Sequence, residues 1–405
     1  MNLPDFIAKR TINSKSGEFS ATIYKIAVSS IGIGLAIMIC SLLILGGFKQ
    51  AIQEKIFSFS GDLQVSKYTL SNSLEANPIS KDSKFYHAHD SIEGISHVQS
   101  FAYKAGLLKA SEAVEGVILK GVDTDFDTTS FEDYMLAGRL PFIDTENYSS
   151  EVVISKNLSK LLKIELGDKL LMYFVQTPPR YRQIEVVGLY QTGLEDFDNK
   201  IILGDIGMIR RLNGWDSDQV SGFEVFVSDQ SSIEEIEKQV FENIEVNEYV
   251  NKTKEQYSQY FDWLSLLNQN VRFFIGLILI VACFNMVTVL FILIMERTNM
   301  IGVLKSLGAA NVMIRKIFFY SGIRLTLKGL FYGNLLSLSL CALQYYFNII
   351  PLDPENYYMS FVPVAWDFSS IILVNFLVLL IVGLSLILPT VIITRLSPIK
   401  AIRFD

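Results

Sequence analysis

Ile26–Phe48 reads IAVSSIGIGLAIMICSLLILGGF and contains no charged residue. A bilayer core takes roughly 20 apolar residues at about 1.5 Å rise each, and this stretch is long enough. Two more charge-free stretches are Phe273–Met295 and Phe368–Thr394. Gly329–Ile350 is a fourth, after a run that holds only Arg324 and Lys328. Backbone groups in lipid must pair within their own segment, so these are read as helices. A buried core helix is the competing reading. Four such lengths in one chain weigh against it. Ile26–Phe48 starts too late and runs too long for a cleaved signal sequence, so it is read as an anchor that also exports the segment on its C-terminal side.

Lys and Arg in short flanks orient the spans. Lys9, Arg10, Lys15 and Lys25 precede the first, and Arg297, Lys305, Arg315 and Lys316 lie between the second and third. Arg395, Lys400 and Arg403 follow the fourth, whereas Phe347–Ser370 holds only Asp353, Glu355 and Asp367. Both termini are therefore expected in the cytoplasm, and the long segment after the first span outside. The expected plan is an interfacial segment 1–25, a first span 26–48, an exported domain 49–270, and a second span 271–295. A cytoplasmic loop 296–316, a third span 317–346, a short external loop 347–368, a fourth span 369–394 and a cytoplasmic tail 395–405 complete it.

The 405 residues are 50% hydrophobic with a net charge of −7. That sum averages an acidic exterior over basic cytoplasmic edges and says little by itself. Cys40, Cys283 and Cys341 all fall in expected spans. The exported domain has no cysteine, so an ordinary core must hold it together.

The exported part alternates strand and helix signals, and an α+β domain of two lobes is expected. Strands are read at Leu63–Val65, Gly116–Lys120, Glu151–Ile154, Lys169–Val175, Gln183–Leu189, Lys200–Leu203 and Phe223–Val227. Short helices are read at Asn157–Lys163 and Asp205–Leu212. Ser231–Glu234 reads as a capping box, opening a helix with Ile233, Ile236, Val240 and Phe241 on one face. Ser66–Asp90 is polar and reads as a loop. Phe48, Ile52, Ile56 and Phe59 fall at helical spacing beyond the first span. Tyr257, Tyr260, Leu264, Leu267 and Val271 keep a 3-4 seam before the second. Both are read as helical stalks, with helices packed on the domain as the alternative.

The sequence holds no Walker phosphate loop and no nucleophile elbow. His87, His89 and His97 are the one metal-like cluster, and a solvated loop is the preferred reading. No carboxylate pair stands out as acid and base, and neither catalytic nor metal residues are assigned. The informative segment is Glu296–Ala310. Met300, Ile301, Leu304 and Leu307 make one apolar face of a short helix that Gly308 can end. Such a face suits docking into a groove of a soluble partner.

Glu296, Arg297, Ile301, Gly302, Leu304, Lys305, Leu307, Gly308 and Ala309 form a pattern that closely resembles the coupling segment of FtsX/MacB-type ABC transporter permeases. Leu396–Arg403 resembles that superfamily's C-terminal signature. Ala137–Pro141, Val152–Ser155 and Leu166–Asp168 resemble its external domain. Phe6–Arg10, Val281–Asn285, Tyr190–Gly193 and Tyr357–Val364 narrow the resemblance to lipoprotein-releasing permeases of the LolC/LolE type. The resemblance implies a MacB-like periplasmic core domain in the inner membrane of a cell with a periplasm. It implies two paired permeases, the second being another permease or a second copy of this chain. It also implies a separate LolD-like ATPase that holds ATP and Mg, a LolA-like periplasmic carrier and lipoprotein substrates. This chain would hold no cofactor itself.

By the same resemblance, the coupling residues meet the ATPase. Phe48, Ile52, Ile56, Tyr260, Leu264 and Leu267 belong to the stalks and substrate cavity. Pro178, Pro179, Arg180, Tyr181 and Arg182 stand where that family carries a carrier-gripping hook. Two adjacent prolines predict that the strands part there and present the three following side chains at a tip. The turn is short, which leaves the LolC and LolE roles open. MacB-like export and FtsX-like control of wall hydrolases are the alternatives within the superfamily. A four-span receptor without an ATPase is the alternative outside it.

Overall fold

The computed structural model describes residues 4, 6–9, 18–69, 77–110, 113–144 and 147–392. The tail signature at 396–403, Arg10, and residues 70–76 of the polar segment lie outside the described residues. The chain divides into two compact units. One comprises residues 1–50, 263–351 and 361–405; the other comprises 51–262 and 352–360.

Five helices carry the first unit: α1 (Glu18–Ser60), α2 (Ser258–Glu296), α3 (Thr298–Ser306), α4 (Asn311–Phe347) and α5 (Phe368–Ser385). Among the described residues, four helical stretches are long and apolar enough to cross a membrane: Thr22–Ser60, Ser258–Glu296, Asn311–Phe347 and Phe368–Val391. α1 and α2 run without a break past their charge-free stretches, so both extensions are helical. The unit's core joins all five helices, with Leu35 and Met38 of α1, Leu290 of α2, Ile301 of α3, Leu325 of α4 and Val382 of α5 buried together. Small and polar residues set the helix contacts, as expected where packing and hydrogen bonds rather than hydrophobicity drive association. Gly32 faces Gly329 and Gly333. Asn334 and Asn375 exchange amide hydrogen bonds of 2.7 and 2.9 Å between α4 and α5. Asn285 donates to the Ser30 hydroxyl at 2.7 Å.

The second unit is built on one ten-stranded sheet, not two lobes. Its main path uses β1 (Leu63–Lys67), β3 (Ile95–Lys109), β4 (Val114–Val122), β5 (Met135–Gly138), β6 (Glu151–Ser155), β8 (Arg180–Tyr190), β9 (Ile201–Asp205), β11 (Gly222–Val227) and β12 (Glu248–Lys252). The order is β12-β1-β11-β3-β4-β9-β6-β8-β5. β7 (Lys169–Phe174) pairs with β3 and β8. β2 (Ile79–Ser80) and β10 (Gln219–Val220) pair separately.

β3 is the longest strand and was not read from the sequence. Residues 98–104 are buried on both faces and include Gln99, Ser100 and Lys104, so alternation is lost. The polar stretch before it is not all loop. Ser83 caps a helix, Lys84–Ala88, that buries Phe85. The capping box is also corrected. Ser232 makes no side-chain cap; Asp229 accepts from Ser231 and opens a 3₁₀ turn before the helix Ile233–Asn243. Ile236 and Val240 are buried in that helix, while Phe241 is exposed.

Candidate functional site

Three places carry the residues expected to act. The first is α3. Arg297 is its N-cap, Leu307 its C-cap, and Gly308 comes next with φ +85°, the left-handed turn that ends the helix. The face expected to dock is mostly turned inward. Ile301 is 0% exposed, Gly302 is buried, and Met300 and Leu304 pack against the core of the first unit. Lys305 and Arg297 are half-buried, and Glu296 is exposed. The outward stripe is instead Asn299, Val303, Ser306 and Leu307, with Val303 53% and Leu307 79% exposed. A helix tied at both ends to membrane helices must bury one apolar face on them. The leftover stripe is the one open to a partner.

The second place is the β7–β8 hairpin. The strands do not part at the residues expected. Arg180, Tyr181 and Arg182 are already ladder residues, opposite Phe174, Tyr173 and Met172. The prolines remove two donors only, and the Arg180 amide is free to pair again. The turn is 175–179, with Pro178 and Pro179 exposed in it. Arg180 is not a free cation. Its guanidinium donates to the carbonyls of Arg211 and Leu212 at 3.3 and 2.9 Å. These carbonyls end the helix Ile206–Asn213, where a cation is favoured. Tyr181 is 62% exposed and its ring lies 6.0 Å from Tyr173. Leu107 is opposite Tyr173 in turn, so an apolar stripe of Leu107, Tyr173 and Tyr181 crosses three strands.

The third place is the part of α1 and α2 that belongs to the second unit, with its neighbours. Ile52, Ile56 and Tyr260 are buried, as is Leu264 of the first unit; Phe48 and Leu267 are half-buried. Most of these are packed side chains rather than the wall of an open cavity. Phe57 stacks on Phe261 at 5.8 Å. Phe59 sits among Phe131, Tyr190 and Phe197 at 5.2, 5.6 and 4.9 Å.

Two groups in this corner were not foreseen. Lys120, on β4, donates to the Phe59 carbonyl at the end of α1 and pairs with Glu224 of β11 at 2.8 Å. The two side chains are 1% and 0% exposed. Gln99 also donates to Glu224, at 2.8 Å. Lys55, on α1, donates to the Thr192 carbonyl at 2.5 Å and to the Tyr358 carbonyl. The turn beneath it is held by Asp198, which accepts from the amides of Thr192 and Gly193 at 2.9 and 2.8 Å and from the Thr192 hydroxyl at 2.8 Å. Burial raises the pKa of Asp198, opposed by its hydrogen bonds and by Lys55. The ring of Tyr260 meets Tyr358 at 5.9 Å. The 352–360 segment is therefore part of the sheet unit. The sequence signal for this was slight: a lysine between Ile52 and Ile56 on an apolar-faced helix.

All three histidines have polar partners: His87 meets Asp82 at 2.7 Å, His89 meets Asp90 at 3.2 Å, and His97 meets the Asp125 carbonyl at 2.8 Å. Among the described residues no group of three or more His, Cys, Asp or Glu is placed to hold a metal.

Residues 26–242 match the model of the MacB-like periplasmic core domain, and 272–398 that of the FtsX-like permease C-terminal region. A lipoprotein-releasing system transmembrane protein LolC of Neisseria meningitidis is 22% identical over 100% of both chains. A LolE of Haemophilus influenzae is 20% identical over 92% of each. The extracellular domain of the noncanonic ABC-type transporter YknZ is similar over 47% of this chain and 99% of its own, at 17% identity and a TM-score of 0.33.

Proposed function

The chain belongs to the family of the MacB-like periplasmic core domain, followed by an FtsX-like permease region, and from that premise we propose that it is the permease subunit of an ABC transporter that releases lipoproteins from the inner membrane. The observation that carries this reading is similarity to LolC and LolE proteins over nearly the whole of both chains. ATP and Mg would be held by a separate ATPase seated on the outward stripe of α3. Its closure would move α3, then α1 and α2. Phe59, Lys120 and Glu224 would carry the motion into the sheet. The permease would pair with a second permease or a second copy of itself. A soluble periplasmic carrier would receive the lipoprotein, with the exposed β7–β8 face around Tyr181 as its contact. Both termini would be cytoplasmic.

Depletion of the protein followed by membrane fractionation tests the reading. Outer-membrane lipoproteins should accumulate in the inner membrane. Normal lipoprotein sorting in depleted cells would refute it, and a division or wall-lysis defect with normal sorting would favour control of a wall hydrolase.

A further inference from the structure

We propose that Cys40 and Cys341 are an oxidisable dithiol site, which a peroxide converts to a disulfide joining α1 to α4. Their sulfurs lie 3.7 Å apart. The contact arises from how the two helices meet. A Cβ on Gly333 would come 2.7 Å from the Gly32 carbonyl oxygen, and one on Gly32 would come 3.3 Å from that of Gly329. The absence of side chains there lets the backbones approach closely. Cys40 lies as many residues beyond Gly32 as Cys341 lies beyond Gly333. Each step is about 12 Å of helix rise. Helices running in the same direction keep that register, so the pair that begins at the glycines is repeated at the thiols.

The site lies one turn short of where both helices are tied down. The Leu43 carbonyl accepts from the Ala365 amide at 3.1 Å. The Gln344 side chain accepts from the Ile350 amide at 2.9 Å and donates to the Val362 carbonyl at 3.0 Å. Cys341 is buried and Cys40 partly exposed, so a small neutral oxidant reaches Cys40 first. Its sulfur attacks one oxygen of hydrogen peroxide; the O–O bond breaks, and a sulfenic acid and water form. The Cys341 sulfur then attacks the Cys40 sulfur and the S–O bond breaks, releasing a second water. Two thiols and one peroxide give one disulfide and two waters. Bond formation needs the sulfurs at about 2.05 Å, a closure within reach of side-chain rotation. Cys283 is the internal reference, because its sulfur faces the Ile381 carbonyl at 3.9 Å rather than a thiol.

Membranes carrying the full chain are treated with hydrogen peroxide, quenched, denatured and labelled with a mass-tagged maleimide. Two of the three thiols should be lost together and return with reductant. Peptide mass spectrometry should find the Cys40 peptide joined to the Cys341 peptide. Cys40→Ser should keep both remaining thiols through a mild treatment, and Cys341→Ser should lose at most one, Cys40, as a sulfenic acid that reductant restores. Three labelled thiols after treatment, or a paired loss that persists in Cys341→Ser, overturns the proposal. Neither readout depends on lipoprotein release.

Discussion

Among single residues, Lys120 and Glu224 have the largest expected consequence. A buried charge left without its partner costs about 3–5 kcal/mol, whereas replacing both partners by apolar groups is often near neutral. Lys120→Met should therefore destabilise the full chain strongly, and Lys120→Met with Glu224→Leu should recover much of the loss. Thermal unfolding in detergent measures both; equal loss in single and double variants would mean that the pair is not energetically coupled. Asp198 gives a pH signature. Its folded-state pKa is raised, mainly by burial. The fold therefore holds a proton that the unfolded chain has already released. Its stabilising contribution is complete below the ordinary aspartate value and is lost as pH rises through the raised one. The melting midpoint of wild type should fall relative to Asp198→Asn as pH rises from about 4; parallel curves would refute this. Neither residue could be singled out from sequence. Lys120 lies in a strand that was legible, but a lysine is almost never this buried unless paired, and its partner lies far along the chain on β11.

Elements were legible where one physical rule governs them. Freedom from charge marked the membrane helices, and short apolar runs rich in β-forming residues marked β4, β6, β7 and β9. β3 was hidden because burial on both faces with polar residues inside erases the period. Which face of α3 is outward was misread because its apolar residues satisfy two demands, packing inward and docking outward, and sequence does not apportion them. Val303→Asp or Leu307→Asp should cut ATPase co-purification at least tenfold and leave insertion intact, since an unpaired charge buried at an interface costs several kcal/mol. Leu304→Asp should instead lower the yield of folded chain. Equal ATPase capture by Val303→Asp and wild type would exclude the stripe. On the hairpin, Tyr181→Ala should weaken carrier capture while changing stability by less than about 0.5 kcal/mol. Arg180→Glu would confound that test by breaking the contacts to the helix Ile206–Asn213. Unchanged capture by Tyr181→Ala would place the carrier elsewhere.

For the whole molecule, orientation is the prediction on which the rest depends. In a background without the native cysteines, Asp353→Cys should react with an impermeant thiol reagent in intact cells with a permeabilised outer membrane. Ser306→Cys should not; labelling there would invert the topology and remove the site assigned to the ATPase. The count of apolar helices and the place of the large domain were legible from charge and hydropathy. What they could not convey is that the sheet unit is assembled from two separated parts of the chain, because Lys55 meets 352–360 through the Tyr358 backbone carbonyl, which no side-chain pattern marks. This discontinuity sets an order of events during synthesis. Residue 358 leaves the ribosome roughly a hundred residues after 262, which at about 5–20 residues per second is a delay of about 5–20 s. In that interval the sheet can form, but Lys55 has one of its two carbonyls and Tyr260 lacks its ring partner. The corner closes only after α4 has been made, so in a nascent chain the sheet unit waits for a later part of the protein before it is complete.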